Sequence, residues 1–186
     1  MSAHGHATPE NKRVAILISI LAALLAITEM AGKGAQTTAL AQNIEASNLW
    51  AFFQAKTIRM TTLRTAAESL EIDITPDLPA ARADALKKRA ESWRATAQRY
   101  DTEPDTGEGR QELAARAKAA EARRDHAMGA YHHFEFASAA YQISIVLASA
   151  AIVTAVDALF FVSIGISLVG FGIGLLGWLA PTLLHL

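Results

Sequence analysis

The chain has 186 residues, no cysteine, 17 basic and 18 acidic side chains, and 52% hydrophobic residues. Its length allows one or two compact units, and the lack of cysteine excludes disulfides, thiolate metal sites and cysteine nucleophiles. A net charge of −1 excludes a general electrostatic attraction to nucleic acid or anionic lipid. The charges are segregated, because residues 32–135 hold 15 basic and 15 acidic side chains whereas residues 137–186 hold only Asp157.

The N-terminal region predicts a flexible tail, residues 1–13, followed by a first transmembrane helix over residues 14–32. A helix over residues 14–27, which are almost entirely apolar, spans about 21 Å, and extension to residue 32 gives about 28 Å, close to a hydrocarbon core of about 30 Å. Glu29 then lies near the far interface, with Lys33 as its expected ion-pair partner. A cleaved signal peptide is the alternative interpretation, but the Ala-x-Ala site lies too far downstream.

The middle of the chain, residues 33–136, is predicted to be a water-exposed helical domain. It is rich in Ala, Glu, Arg and Lys, which favour helix, and its Pro and Gly residues cluster around residues 74–79 and 102–107, where breaks are expected. The three resulting helices are 35–71, 79–101 and 109–136. The third is expected to run straight into the next apolar segment.

Each of these helices carries an apolar stripe with spacings of three and four, typical of a helical hairpin or coiled coil. Lys56 and Arg124 interrupt the stripes. Because the first helix leaves the membrane and the third returns to it, we expect one break to be a kink rather than a reversal. The stripe residues are Ala46, Leu49, Phe53, Met60, Leu63, Ala67, Leu70, Leu86, Ala90, Trp93, Ala97, Tyr100, Leu113, Ala117, Ala120, Ala127, Tyr131 and Phe134.

Residues 137–156 and 158–184 predict a second and a third transmembrane helix, with Asp157 as the N-cap of the third at a tight reversal. Small residues recur at spacings of three and four in both segments, and Gly170 and Gly174 have the Gly-x-x-x-Gly spacing of closely packed membrane helices. Their partner is either the neighbouring helix of the same chain or a second copy. The predicted fold is an all-α membrane protein with three transmembrane helices and a protruding helical hairpin between the first two.

Two groups of side chains are candidates for function. Trp50, Phe53, Gln54 and Lys56 lie close together in a helix and could form a docking or self-association surface. The other group is the histidine cluster His126, His132 and His133. Adjacent imidazoles on a helix point about 100° apart and cannot chelate one ion together, so we predict no metal site. We also predict no cofactor and no catalytic residue.

The segment A-S-N-L-W-A-F-F-Q-A-K, residues 46–56, carries a family resemblance. It resembles the A-S-D-x-W-A-[FY]-[FY]-Q-A-K signature of the bacterial domain-of-unknown-function family 4337, with Asn48 in place of the usual Asp. A second match is E-A-R-R-D-H-A, residues 121–127. The resemblance implies a small membrane protein with this order of elements and implies no particular activity.

The resemblance also bears on orientation. Members of that family often carry basic residues in the turn between the last two helices. Together with Lys12 and Arg13 before the first helix, this implies that the turn and the N-terminus face the cytoplasm and the middle faces the periplasm. This chain departs from the pattern, because residues 156–158 contain no basic side chain. The expected location is the bacterial inner membrane, with a periplasmic middle.

We therefore expect a non-enzymatic membrane scaffold, assembly factor or accessory subunit. Its expected partners are the lipid bilayer and either further copies of itself or a larger membrane complex, and not nucleic acid. A small oligomeric channel or transporter is the first alternative, although the apolar segments lack a polar stripe that would line a pore. A metal-binding membrane protein is the second alternative.

Overall fold

The computed structural model describes residues 9–183, and side chains from residue 12 onward. Within that range it contains four α-helices and no strand, which confirms the all-α class. Three of the helices are long and apolar enough to cross a membrane: α1, α3 and α4. The helices are α1 (Pro9–Ile72), α2 (Ala80–Asp101), α3 (Arg110–Thr154) and α4 (Asp157–Leu179).

The first helix differs from its prediction at both ends of the apolar segment. Residues 9–13, the first that the structure describes, are already helical, and the rest of the predicted tail lies outside the described residues. The helix also continues without a break through Gly32 and Gly34. Each glycine costs about 1 kcal/mol of helix propensity, but Gly32 allows close packing, since a Cβ there would lie 3.4 Å from Cβ of Phe134.

Contacts divide the chain into two units, and α1 and α3 each contribute to both. Unit 1 comprises residues up to 40 and from 123 onward. Its core is small, with Leu21, Ala137 and Tyr141 buried and partly buried aliphatic side chains packed around them. Many other large apolar side chains of this unit are exposed, as expected of a lipid-facing surface. Examples are Ile16, Ile20, Ile27, Ile143, Val146, Phe161, Leu168, Val169 and Leu175.

The reversal between α3 and α4 is made by Ala155 and Val156. Ala155 has φ of 52°, in the left-handed region, and Val156 occupies the N-cap position without a side-chain hydrogen bond. Asp157 is therefore the first residue of α4 and not its cap, so that part of the prediction is wrong. A carboxylate in the first turn still interacts favourably with the positive end of the helix dipole.

Unit 2 comprises residues 41–122 and contains parts of α1 and α3 together with α2. Its core consists of Ala46 and Leu49 from α1 and of Leu113, Ala117 and Ala120 from α3. Every stripe residue of the three predicted middle helices is buried or partly buried, which confirms the stripes. Because alanine dominates them, the helices can pack closely while burying little apolar area per residue.

The order of contacts within unit 2 gives its topology. Glu71 near the end of α1 pairs with Arg94 of α2, Lys56 lies over the ring of Tyr100 near the end of α2, and Trp50 bonds to Glu121 of α3. Along this series of contacts the residue numbers on α1 decrease while those on α2 and α3 increase, so α2 and α3 both run antiparallel to α1. The connection after α2 is thus a kink, as predicted, and the connection after α1 is the reversal.

Candidate functional site

Two aromatic side chains of the signature segment, Trp50 and Phe53, are partly buried in unit 2. The indole Nε1 of Trp50 donates a hydrogen bond to Oε1 of Glu121 over 2.8 Å. The rings of Trp50 and Phe53 meet edge to face with centroids 5.4 Å apart, and the Arg110 guanidinium lies 5.0 Å from the centre of the Phe53 ring. Trp50 and Phe53 therefore join α1 to α3, whereas Gln54 is exposed.

Lys56 interrupts the apolar stripe because its charge has partners inside unit 2. Its side chain is only 7% exposed, and Nζ lies 3.6 Å from a carboxylate oxygen of Glu103 and 3.9 Å from one of Glu108. Nζ also lies 5.4 Å and 5.1 Å from the ring centres of Phe52 and Tyr100. A buried ammonium needs such partners to offset its desolvation, so Lys56 anchors the kink between α2 and α3.

Arg110, the first residue of α3, forms the other half of this anchor. Its Nε donates to Oγ1 of Thr57 over 2.8 Å, and its Nη1 lies 2.7 Å from Oδ1 of Asp101. The sequence did not single out Arg110 or Glu121 as site residues. Two sequence features could have indicated them: Arg110 directly follows the Gly-containing break, and Glu121 begins the second segment that matches the family.

A second part of the α1 surface in unit 2 is a groove whose lining side chains are uncharged. The groove has a volume of about 630 Å³, and Ile58 in this groove is 67% exposed. We call these residues the threonine face: Thr57, Ile58, Thr61, Thr62, Thr65, Ala66 and Ser69. These residues begin directly after the signature segment, which ends at Lys56, and Thr57 at that end of the groove accepts the hydrogen bond from Arg110.

Unit 1 contains an open cavity of about 450 Å³ between α1 and α3, lined by both polar and apolar side chains. Nε2 of Gln142 lies 3.4 Å from Oε1 of Glu29, so Glu29 is bonded to α3 and does not form the predicted ion pair with Lys33. Glu135 brings a second carboxylate to the cavity. The lining residues are Thr28, Glu29, Gly32, Lys33, Gln36, Tyr131, Phe134, Glu135, Ser138, Ala139 and Gln142.

Gly170 and Gly174 of α4 face α3 of the same chain. A Cβ at Gly170 would lie 2.8 Å from Cβ of Ala140, and one at Gly174 would lie 3.5 Å from Cβ of Ala137. The other small residues that recur in α4 at spacings of three and four, here called the small-residue stripe together with Gly170 and Gly174, are buried: Ser163, Ser167 and Gly177. Close packing of α3 and α4 thus uses this stripe within one chain, which is the first of the two arrangements that the sequence allowed.

The three histidines have different surroundings. Nδ1 of His132 lies 3.7 Å from Oε2 of Glu135, so these two side chains share a face as the spacing predicts. His133 is fully buried, with Nδ1 2.7 Å from the Gly129 carbonyl oxygen and no hydrogen-bond partner for Nε2. His126 is exposed. Among the described residues, no group of three or more His, Cys, Asp or Glu side chains could hold a metal ion.

Comparison with known proteins places these features in a family. The family model described as Domain of unknown function (DUF4337) matches residues 10–180. No curated protein and no solved structure matches the chain. The match includes both the signature segment and the second motif, whose Trp50 and Glu121 are hydrogen-bonded to each other.

Proposed function

We propose that this chain, which belongs to the family Domain of unknown function (DUF4337), is a non-enzymatic scaffold or accessory subunit of the bacterial inner membrane that acts by self-association. Three helices with the length and apolarity to cross a membrane support the location. Unit 2 supports a water-exposed role, because the charges of the chain are concentrated in and around it. In this proposal unit 2 is a helical hairpin that protrudes into the periplasm.

The threonine face is the observation that carries the proposal. Trp50, Phe53 and Lys56, the sequence-based candidates for docking, already have partners within unit 2. The threonine face has an exposed isoleucine, short side chains and a groove, and none of its seven residues is charged. Short side chains let another helix approach closely, and burial of apolar atoms then favours association.

A second copy of this chain is the occupant that we propose for the face. Two copies related by a two-fold axis would bring the same uncharged surface together without like-charge repulsion. A charged partner surface would gain nothing from such a face, because it offers no opposite charge. The Ala-rich core of unit 2 adds a reason for association, since it buries little area per residue in a single copy.

Single-cysteine crosslinking tests this proposal cleanly, because the chain has no cysteine of its own. Thr62→Cys places a thiol on the threonine face, and Ser92→Cys places one at an exposed position of α2 as the matched control. In native membranes under mild oxidation, we expect a disulfide-linked dimer with Thr62→Cys and little with Ser92→Cys. Ile58→Glu combined with Thr62→Cys is expected to abolish the dimer, because two carboxylates would then be buried together.

The two single-cysteine variants also test the membrane location and the orientation of the protein. Protein that stays with the membrane pellet after alkaline extraction is integral, and release into the supernatant would contradict the proposal. In spheroplasts, a membrane-impermeant maleimide is expected to label Ser92→Cys, which lies outside the proposed interface, before lysis. Equal crosslinking of the two cysteine variants, or a monomeric mass in mild detergent, would rule out self-association through this face.

A further inference from the structure

The cavity in unit 1 lies at the boundary between the lipid-compatible and the charged parts of the chain. On α1 it begins at Thr28, directly after the apolar run of residues 14–27, and extends to Gln36. On α3 it extends from Tyr131 to Gln142, and beyond Glu135 that helix carries no charged residue. In a membrane, lipid headgroups occupy the level at which an apolar helix becomes polar.

The cavity offers charges of both signs to a ligand. Lys33 lies one helical turn from Glu29 on α1, and Glu135 faces the same cavity from α3. Side chains four residues apart on a helix are neighbours, yet Glu29 bonds to Gln142 instead of pairing with Lys33. The Lys33 ammonium is therefore available to an anionic group, and the second oxygen of Glu29 is available to a cationic one.

We propose that this cavity binds the phosphoethanolamine headgroup of a membrane phospholipid. Lys33 binds the phosphate, assisted by the amide of Gln36, and the carboxylates of Glu29 and Glu135 accept hydrogen bonds from the primary ammonium group. Both are charge-assisted contacts, the stronger class of hydrogen bond. The acyl chains then lie along the exposed apolar surface of α1 and α3, which includes Ile27 and Ile143.

The lining also excludes the other common headgroups. An anionic headgroup such as phosphatidylglycerol would meet two carboxylates and one ammonium, an unfavourable balance of charge. A choline headgroup has no N–H to donate to the carboxylates, and its recognition usually relies on a cage of aromatic rings. Here Tyr131 and Phe134 line the cavity, but the Phe134 ring is buried and packs edge to face against Trp178, so no cage forms.

Native mass spectrometry of the full-length protein in mild detergent tests the inference. Phosphatidylethanolamine, phosphatidylcholine and phosphatidylglycerol with matched acyl chains are each titrated against the wild type, and we expect preferential retention of one phosphatidylethanolamine. Lys33→Gln is expected to weaken this retention about ten-fold, the loss that accompanies one charge-assisted hydrogen bond. Glu29→Gln is expected to reduce the preference for ethanolamine over choline while leaving retention of phosphatidylcholine unchanged. The exposed Lys118 lies outside the cavity, so Lys118→Gln is the matched control.

Equal retention of the three lipids by the wild type, or unchanged retention in both cavity variants, would overturn the inference. Free O-phosphoethanolamine, titrated in parallel, separates the lipid from a soluble source of the same group, and equal affinity for the two would overturn the assignment to a lipid. The inference rests only on the membrane location in the proposed function. Loss of dimer crosslinking would therefore leave it intact, whereas alkaline release from membranes would refute the location itself.

Discussion

Gly170 is the position where packing between α3 and α4 can be tested most directly. A Cβ built at Gly170 would lie 2.8 Å from Cβ of Ala140, and one built at Gly172 would meet no atom within 4 Å. Both glycines lie inside α4, so replacement by alanine brings each variant the same gain in helix propensity, about 1 kcal/mol. The substitution at Gly170 also overpacks the interface, which costs about 1–3 kcal/mol. We therefore expect Gly170→Ala to be less stable than Gly172→Ala by about 1–3 kcal/mol, the cost of the overpacking.

Unfolding is induced by adding SDS to the protein in a mild detergent, and it is monitored through the reactivity of a single cysteine introduced on α3. The quantity compared is the SDS fraction at the midpoint of unfolding. Gly172→Ala should unfold at the same SDS fraction as the wild type or at a higher one, and Gly170→Ala at a lower one. Gly165→Ala, a second α4 position with open space around the added atom, should behave like Gly172→Ala. Equal midpoints for Gly170→Ala and Gly172→Ala would refute the close approach of α4 to α3 and the role assigned to the glycine.

Three further predictions concern unit 2 and the reversal before α4. Trp50→Phe removes the 2.8 Å hydrogen bond to Glu121 but keeps an aromatic ring. It should lower the free energy of unfolding by about 1 kcal/mol, which hydrogen exchange of the α3 amides measures. An unchanged exchange rate would contradict the assigned bond. Arg110→Ala breaks the bonds to Thr57 and Asp101, where the Arg110 side chain is 23% exposed, and should lower the free energy of unfolding by about 2–4 kcal/mol. Arg94→Ala removes the more exposed pair with Glu71 and should cost under about 1 kcal/mol. Thermal unfolding monitored by circular dichroism compares the two variants, and the reverse order of stability would refute the structural assignment. Ala155→Gly should raise stability in the SDS assay by about 1 kcal/mol, because Ala155 has φ of 52° and glycine adopts that conformation without steric cost.

The sequence alone determined which segments are apolar enough for a membrane and which helix faces are buried. Both properties are local, because hydrophobic length and three-to-four spacing follow directly from helix geometry. The stripe residues of unit 2 were therefore found correctly, and the kink after α2 followed from the need of the chain to return to the membrane. The family signature was likewise visible in the sequence, since it is a contiguous run of residues.

Only the tertiary structure decided what the polar residues do. Lys56 is a charge within an apolar stripe, and the partners that accommodate it, Glu103 and Tyr100, lie more than 40 residues away in the sequence. Glu29 bonds to Gln142, a residue 113 positions away, and not to its sequence neighbour Lys33. Such partners depend on which helices meet and in what register, and periodicity within one helix carries no information about register. Segment by segment, the sequence therefore specified the helices, whereas the packing of those helices determined the polar contacts and the two surfaces on which the proposals rest.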